Sequence, residues 1–269
     1  MSRTGLVSEA WRYPVKSMQG LPTTSLRIGP TGIAGDRHRA VIDTATERVM
    51  SAKRTADLLL ARATDDAIVL PDGTVVDIDS PNRDQVLSAW LGRDVTVRTA
   101  PGTEHLSYEM TFDPPDDDAE YYEIPIPEGT FLDLSPVHLL TTATLEGCAA
   151  QRPDLDWDLR RFRPNLLIAM DGAPFVEDEW AGRRLEIGTA VLAVTQPTVR
   201  CAMPLRAQPA IGPAERPLDR QPELYGALND LHVAFPNHLG AYADVVRAGV
   251  ASVGDAVRVL EDGGDGPAH

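Results

Sequence analysis

The stretch that decides the fold is LEIGTAVLAVTQ, residues 185–196, which is followed at once by PTVRCAMP, residues 197–204. Leucine, isoleucine and valine dominate the first part, and such a run predicts a buried strand over 184–195. The second part places Cys201 directly after Arg200 and between two prolines. Many short apolar runs of this kind occur along the chain and helical patterns are few, which is typical of β-barrels or sandwiches.

The remaining elements follow from the same patterns. We predict further strands at 5–12, 22–28, 37–43, 94–99, 137–141, 165–170 and 255–260. The segment LPDGT, residues 70–74, has Asp-Gly between apolar runs and predicts a hairpin. We predict helices at 82–91, with Asn82 as the N-cap, at 142–151 and at 221–231.

Composition limits the compartment and the partners. The 269 residues carry a net charge of −15, which argues against nucleic acid or an anionic membrane as a partner. Cys148 and Cys201 are too few for a disulfide framework, and no apolar run reaches about 18 residues. We therefore expect a cytoplasmic protein without a signal peptide or a membrane span. Lys16 and Lys53 are the only lysines.

A Pro- and Asp-rich segment divides the chain. It reads DPPDDDAEYYEIPIPEG, residues 113–129, and has no hydrophobic periodicity, which is typical of a solvated connector. We place a domain boundary near residue 125. The expected organisation is a first domain at 1–125, a second at 126–262 and a disordered tail at 263–269.

Two stretches in the first domain place polar groups beside apolar runs. In YPVKSM, residues 13–18, the turn presents Lys16 and Ser17 after Pro14. In AGDRHR, residues 34–39, Asp36 is positioned to brace the guanidinium of Arg37. Each stretch is also consistent with an ordinary surface turn or a local ion pair.

Two stretches in the second domain also place polar groups beside apolar runs. RRFRPN, residues 160–165, has three arginines before an apolar run, and such a cluster suits a phosphate or another oxyanion. Salt bridges to the acidic connector are the structural alternative. Cys201 follows Arg200, and a neighbouring cation favours the thiolate that binds soft metals. The alternative for Cys201 is a small buried hydrophobe.

Several familiar chemistries are not indicated. The chain has no glycine-rich nucleotide-binding motif and no CxxC or HExxH zinc pattern. His38 and His105 have no partners at metal-ligand spacing, and we interpret them as structural or surface residues. A Cys–His hydrolase, with Cys201 as nucleophile and His232 or His238 as base, remains open.

Taken in order, these stretches resemble a known family. YPVKS, GDR and SAKR are similar to the N-terminal β-barrel domain that precedes a molybdenum-cofactor-sulfurase C-terminal (MOSC) domain. LDLSPVHLLTTATL, RFRPNLLI, FVEDEW, LEIG, the Arg-Cys pair, LGAYADVVRAG and VGDAV resemble the MOSC domain itself. The resemblance covers residues 5 to 260. It implies a mainly β (α+β) fold, with an N-terminal β-barrel domain packed against a MOSC β-barrel domain and a few helices.

The resemblance also implies a cofactor and a set of site residues. Relatives such as the mitochondrial amidoxime-reducing component hold a molybdenum–pterin cofactor (molybdopterin) and reduce N-hydroxylated compounds. By the match, Cys201 would be the metal ligand and catalytic residue. The cofactor-binding residues implied are Lys16, Ser17, Arg37, Ser135, Arg163, Asn165 and Arg200.

Three departures from relatives concern the site and the electron source. Compared with the animal enzymes, Val199 stands before the Arg200-Cys201 pair where a serine is usual, and AMPLRAQP follows Cys201 in place of a Thr-Thr-Val-Asp-Pro type of loop. Some bacterial relatives carry a C-terminal ferredoxin domain with four cysteines, and we expect no such domain here. We therefore expect electrons to come from a separate ferredoxin- or flavin-type protein.

The function that we expect is a molybdenum-dependent oxidoreductase acting on a small-molecule N-hydroxylated or N-oxide substrate. The alternative is a carrier that transfers sulfur or the molybdenum cofactor and holds a persulfide on Cys201, without redox turnover of its own. Pyridoxal phosphate binding is not supported, because that sulfurase chemistry belongs to a separate domain.

Overall fold

The structure is a computed structural model, and it describes residues 3–100, 105–111, 114, 116, 119–127, 129–210 and 215–260. The tail expected to be disordered, residues 263–269, lies outside the described residues, as do parts of the connector 113–129. Among the described residues, no helix is both long and apolar enough to cross a membrane.

Most of the regular structure is strand, and the bounds are as follows. The strands are β1 (Arg3–Arg12), β2 (Leu21–Thr23), β3 (Ser25–Gly29), β4 (Gly32–Ile33), β5 (Arg39–Asp43), β6 (Arg48–Val49), β7 (Arg62–Ala63), β8 (Ala67–Val69), β9 (Val75–Asp77), β10 (Val95–Thr99), β11 (Ser107–Met110), β12 (Tyr122–Pro125), β13 (Val137–Thr141), β14 (Leu166–Ala169), β15 (Arg184–Ile187), β16 (Ala190–Val199), β17 (His238–Arg247), β18 (Gly249–Ser252) and β19 (Ala256–Leu260). The helices are α1 (Arg83–Leu91), α2 (Thr142–Gln151), α3 (Leu159–Phe162) and α4 (Glu223–Leu231), and 3₁₀ turns lie at Ala56–Leu60, Val176–Trp180 and Met203–Leu205.

Seven strands close into a barrel. Their order is β1, β14, β13, β17, β16, β15 and β19, and β19 pairs with β1 again. Closure removes the exposed edges that an open sheet would present. Alternate apolar side chains from these strands point inward, and Leu139, Ile168, Leu192 and Val257 are fully buried in this core.

The first strand belongs to this barrel although it comes from the other end of the chain. Leu6 of β1 pairs with Ala169 of β14 on one side and with Ala256 of β19 on the other. The barrel is therefore built mainly from the second half of the sequence, but residues 3–12 close it.

Apart from β2, which pairs with β1, the remaining strands form three smaller sheets. The sheet of β18, β3 and β4 packs on the barrel core, whereas the other two contribute residues to a second core. A five-stranded sheet has the order β10, β5, β6, β11 and β12, and two three-stranded sheets have the orders β18, β3, β4 and β7, β8, β9. Met18, Leu58 and Leu87 are buried in the second core, and Cys201 packs against it. The predicted fold class, mainly β with few helices, is confirmed.

The predicted single strand over 184–195 is wrong, because the chain turns back after Ile187. β15 and β16 pair antiparallel, with Ile187 opposite Ala190. Gly188 in the turn has a φ of +59°, and a Cβ there would lie 2.2 Å from the Val250 carbonyl oxygen. The turn needs a glycine, which the apolar pattern concealed.

Other elements agree in position but differ in detail. The hairpin at 70–74 is confirmed, since β8 and β9 pair across it, and α2 spans the predicted 142–151. Asn82 precedes α1, but its side chain makes no capping hydrogen bond. Instead its Oδ1 accepts from the Ser80 hydroxyl at 2.5 Å. The elements that the patterns did not predict are helix α3 and strands β4, β6, β7, β11, β12, β17 and β18. β12 (Tyr122–Pro125) lies within the segment predicted to be a solvated connector.

Candidate functional site

A cavity of about 530 Å³ lies between the barrel and the smaller sheets. Both halves of the sequence contribute to its wall. All eight residues singled out from the sequence line it: Lys16, Ser17, Arg37, Ser135, Arg163, Asn165, Arg200 and Cys201. The structure therefore brings the predicted set together in one place.

Lys16 and Ser17 lie in the turn that follows β1. Ser17 has a φ of +67°, and its Oγ accepts from the backbone amide of Ala52 at 3.0 Å. The Lys16 ammonium donates to the Phe131 carbonyl at 2.8 Å and to the carboxylate of Asp133. The turn is thus fastened to the wall on both sides, and it holds the lysine in a buried position.

Asp133 binds both lysines of the chain. Lys53 Nζ lies 2.9 Å from Asp133 Oδ2, and the ring of Tyr108 lies 4.8 Å from Lys16 Nζ and 4.2 Å from Lys53 Nζ. Burial would raise the pKa of Asp133, but Lys16 and Lys53 outweigh it and hold that pKa far below its usual range. Burial lowers the pKa of Lys16 to about 8, against the opposing effect of Asp133. This cluster therefore carries net positive charge on the cavity wall.

Lys53 and Asp133 line the cavity but were not among the predicted site residues. The scarcity of lysine was the available signal for Lys53, since the chain has only Lys16 besides it. Asp133 lies in the connecting segment before β13, next to the predicted Ser135, and nothing in its pattern distinguished it from the other aspartates.

Arg37 and Arg163 meet on the ring of Tyr13. Their Cζ atoms lie 4.6 Å and 4.1 Å from the ring centroid. Asp36 forms an ion pair with Arg37, which confirms the predicted bracing. Arg163 has a φ of +56° at the end of α3, and its Nη1 donates to the Met18 carbonyl at 2.6 Å. Burial, and next the charge of Arg37, lower the pKa of Arg163 to about 10.

Only one arginine of RRFRPN lines the cavity. Arg160 forms an ion pair with Asp158 at 2.7 Å. Arg161 is fully buried and donates to the carbonyls of Pro204, Arg206 and Asp219. The alternative was salt bridges to the acidic connector. In the described part of the chain the partners are instead Asp158 for Arg160 and Asp156, at 3.4 Å, for Arg161.

Asn165 and Ser135 lie in the wall with their side chains already engaged. Asn165 Oδ1 accepts from the His138 amide at 3.1 Å, and its Nδ2 donates to the Trp11 carbonyl at 3.3 Å. The Ser135 hydroxyl donates to the Ala243 carbonyl at 2.9 Å. Asn165 therefore ties β1 to β13, so its contribution to the cavity is chiefly to position the strands around it.

Cys201 lies two residues beyond Val199, the last residue of β16, and Asn237 fixes Arg200 between them. The Arg200 amide donates to the Asn237 carbonyl at 2.9 Å, and Asn237 Nδ2 donates to the Arg200 carbonyl at 2.6 Å. Arg200 Nη2 donates to the Phe162 carbonyl at 2.8 Å. Cys201 itself is half-buried and is not disulfide-bonded. It interacts electrostatically with Lys53 and with Arg200.

The histidines proposed for a hydrolase are placed elsewhere. His232 is held by Asp178 at 2.7 Å and by the His238 carbonyl at 2.9 Å. Neither His232 nor His238 lines the cavity with Cys201. His138 does line it, but burial, and next the charge of Arg200, hold its pKa well below the usual value.

The residues present fit a molybdenum–pterin with its phosphate. Among the described residues, the cavity is lined by five cations: Lys16, Arg37, Lys53, Arg163 and Arg200. The carboxylate of Asp133 is the single anionic side chain that lines it there. Arg200 Nε and Asn237 Oδ1 are buried without a hydrogen-bond partner in the described part of the chain, so each keeps unused hydrogen-bonding capacity. The volume is in the range of small-molecule sites. The described part of the chain contains no cluster of three or more His, Cys, Asp or Glu side chains that could hold a metal ion without a cofactor.

Sequence profiles of known families match both halves of this chain. The profile of the MOSC domain matches residues 127–258, and that of the MOSC N-terminal beta barrel domain matches residues 4–98. The chain belongs to the MOSC-domain family. MOSC domains are associated with binding of the molybdenum cofactor and with enzymes that depend on it. The resemblance noted in the sequence is thereby confirmed for both domains of this MOSC protein.

Other comparisons show more distant likeness. No curated protein gives a significant sequence match. The crystal structure of the YUAD protein from Bacillus subtilis is 11% identical, with 95% of each chain covered and a TM-score of 0.44. That of YiiM from Geobacillus stearothermophilus is 15% identical, covers 49% of this MOSC protein and 57% of that chain, and has a TM-score of 0.34.

Proposed function

We propose that this MOSC protein binds a molybdenum–pterin cofactor in the cavity and reduces N-hydroxylated or N-oxide compounds. The observation that supports this most directly is that Cys201 shares one cavity with five cations drawn from both halves of the chain. When bound, the cofactor supplies two-electron redox chemistry at molybdenum. The proposal assigns the protein to the cytoplasm.

Each part of the cavity wall has a separate task in this proposal. The thiolate of Cys201 holds the metal, since sulfur is a soft ligand that suits it. The guanidinium groups of Arg37, Arg163 and Arg200 bind the phosphate and the polar edge of the pterin, because arginine binds such oxyanions bidentately. Lys16 and Ser17 donate from the turn after β1. We add Lys53 to this set, because it lines the same cavity.

Reduction of an N-hydroxylated compound breaks the N–O bond and releases the oxygen as water, with consumption of electrons and protons. The electrons come from a separate ferredoxin- or flavin-type protein in this proposal. The substrate enters on the side of Cys201 that is open to solvent, since that residue is half-buried. The division into domains at 1–125 and 126–262 is part of the same proposal.

Elemental analysis combined with a reductase assay tests the function. Near-stoichiometric molybdenum and pterin in the purified protein, with reduction of an N-hydroxylated compound by an artificial electron donor, is the expected result. A persulfide on Cys201 without metal would favour the sulfur or cofactor carrier instead. Hydrolysis of esters or amides without metal would favour the hydrolase.

Cys201→Ala is expected to abolish molybdenum retention while the protein stays folded. The matched control is Cys148→Ala, because Cys148 is the other cysteine and is fully buried in a separate core under α2. The control is expected to keep its metal. Molybdenum content per protein and thermal unfolding are measured for both variants, and full metal content in Cys201→Ala would contradict the ligand role.

A further inference from the structure

The walls of the cavity show an inverted order of polarity. Both lysines, Arg163 and Arg200, called here the inner groups, are buried with exposed fractions of 4–8%. Other polar lining residues, such as Arg37 and Asp133, are half-buried. The lining residues that are exposed are all apolar in the described part of the chain: Leu134, Val199 and Pro236. Solvation alone would place charges outside and apolar groups inside. The inversion indicates a ligand that covers the rim.

The apolar rim is well exposed in the structure. Leu134 is 59% exposed and Val199 is 45% exposed. Val199 ends β16 and lies opposite His238, so Val199 is held by the barrel close to Cys201. Leu134 lies between Asp133 and Ser135, two further lining residues. Leu134 and Val199 are therefore only one or two residues away in sequence from polar residues of the cavity wall, which limits how far the two side chains can move from them.

Apolar residues other than those of the rim also line the cavity. Met110, Ile124, Leu132 and Met203 line the cavity, and Met203 belongs to the core against which Cys201 packs. The cavity wall therefore has apolar surface beside Cys201 as well as at its exposed residues. A molecule bound here would bury apolar surface at the rim and present its polar end to the inner groups.

We propose that this rim, formed by Leu134, Val199 and Pro236, is a binding site for an uncharged aromatic or aliphatic body carried by the substrate. This inference rests on the proposed function and deepens it. The substrate class becomes N-hydroxylated or N-oxide compounds with a bulky apolar group. Small polar compounds such as hydroxylamine bind weakly, because they leave the rim exposed.

The size of the rim favours a small molecule over a partner protein. A stable protein–protein contact buries about 800 Å² on each partner, whereas three side chains at a cavity mouth offer a small fraction of that. A partner protein would need a wider apolar surface than this rim. One small molecule with an apolar body is therefore the occupant that fits.

A matched pair of ligands tests this inference. Benzohydroxamic acid and acetohydroxamic acid share the N-hydroxy head and differ in a phenyl or a methyl group. Their dissociation constants are measured by isothermal titration calorimetry with the protein as purified. In the unsubstituted protein we expect benzohydroxamate to bind at least about tenfold more tightly.

Substitutions in the rim are expected to reduce this preference. Val199→Ser and Leu134→Ser should each lower the ratio of the two dissociation constants by about threefold to fivefold. The control is Val246→Ser, since Val246 is 48% exposed on β17 and lies outside the cavity wall. It should leave the ratio unchanged. The ratio cancels any change in the fraction of folded or loaded protein.

The outcomes separate this inference from the function on which it rests. A ratio near one, or a ratio that neither rim variant changes, overturns the inference. Rim variants that affect only electron delivery from a protein donor also overturn it, because the rim would then dock a partner. If the ratio behaves as expected but no hydroxamate is reduced, the apolar site stands and the reductase proposal fails.

Discussion

Tyr13 contacts two arginines that come from opposite halves of the chain. Arg37 lies 4.6 Å and Arg163 4.1 Å from its ring centroid, and the Tyr13 hydroxyl donates to the Pro164 carbonyl at 3.0 Å. The face of an aromatic ring attracts a guanidinium, and the attraction strengthens when water is excluded. At the scale of single residues, Tyr13 therefore holds two like charges in one cavity wall despite their repulsion.

Tyr13→Leu is expected to weaken cofactor retention by about tenfold, because both cation–π contacts are lost. Tyr13→Phe keeps the ring and loses only the hydroxyl, so it should retain the cofactor almost as well as the unsubstituted protein. Molybdenum content is measured after extended dialysis, together with thermal unfolding. Equal loss in the two variants would show that the hydroxyl, and not the ring, matters.

Arg163→Ala is expected to weaken cofactor retention far more than Arg98→Ala. Arg163 lines the cavity, whereas Arg98 forms a surface ion pair with Glu47 at 2.6 Å. Removing a buried charged donor costs about 1.5–3 kcal/mol, and an exposed ion pair contributes little. The same dialysis and metal analysis checks both variants. Equal effects would mean that Arg163 serves the fold alone.

At the scale of elements, β17 passes the cavity at a glycine. Gly240 has a φ of +85°, and a Cβ there would lie 2.3 Å from His138 Nε2 and 2.7 Å from the Leu139 carbonyl oxygen. The glycine lets β17 approach β13 closely while His138 occupies the cavity wall. The pairing of these two strands thus depends on the missing side chain.

Gly240→Ala is expected to lower the free energy of unfolding by about 2–4 kcal/mol, through strain at positive φ and a steric clash. Gly182→Ala separates the two causes. Gly182 has a φ of +80°, but a Cβ there meets nothing within 4 Å, so only the strain of about 1 kcal/mol applies. Urea unfolding measures both variants. If Gly240→Ala lowers the free energy of unfolding no more than Gly182→Ala does, β17 shifts to accommodate the added methyl group without loss of stability.

At the scale of the whole molecule, the first strand is an integral part of the seven-stranded barrel, which is otherwise built from the second half of the chain. β1 pairs with β14 and β19, and Val7 and Ala10 are buried in the barrel core. The cavity likewise takes Lys16 and Arg37 from the first half of the chain and Arg163 and Cys201 from the second. The two halves therefore complete both a barrel and a cavity together.

A fragment that begins at residue 126 is expected not to fold. Without β1, the edges of β14 and β19 are unpaired and the barrel core is open to water, and both effects are costly. Calorimetry of the fragment should show no cooperative transition, whereas the full chain should show one. A cooperative transition in the fragment would mean that the six remaining strands close without β1.

The sequence alone was enough for the class of fold and for several element positions. Periodicity of two residues predicts strands, and α2 and the hairpin at 70–74 agree with local pattern and turn chemistry. The strand over 184–195 was misjudged, because hydrophobicity does not show that Gly188 reverses the chain. The eight site residues were predicted from a resemblance to a known family, and that resemblance was recognised from the order of several short motifs along the chain.

Only the tertiary structure decided what those residues do for one another. It placed Arg160 and Arg161 in structural contacts and Arg163 in the cavity, although the three are neighbours in sequence. It joined Lys53 and Asp133 to Lys16 across more than thirty positions of chain. Local sequence determines which backbone conformations are favoured, whereas burial and charge pairing depend on which distant segments meet. Closure of the barrel by β1 is what brings those segments together.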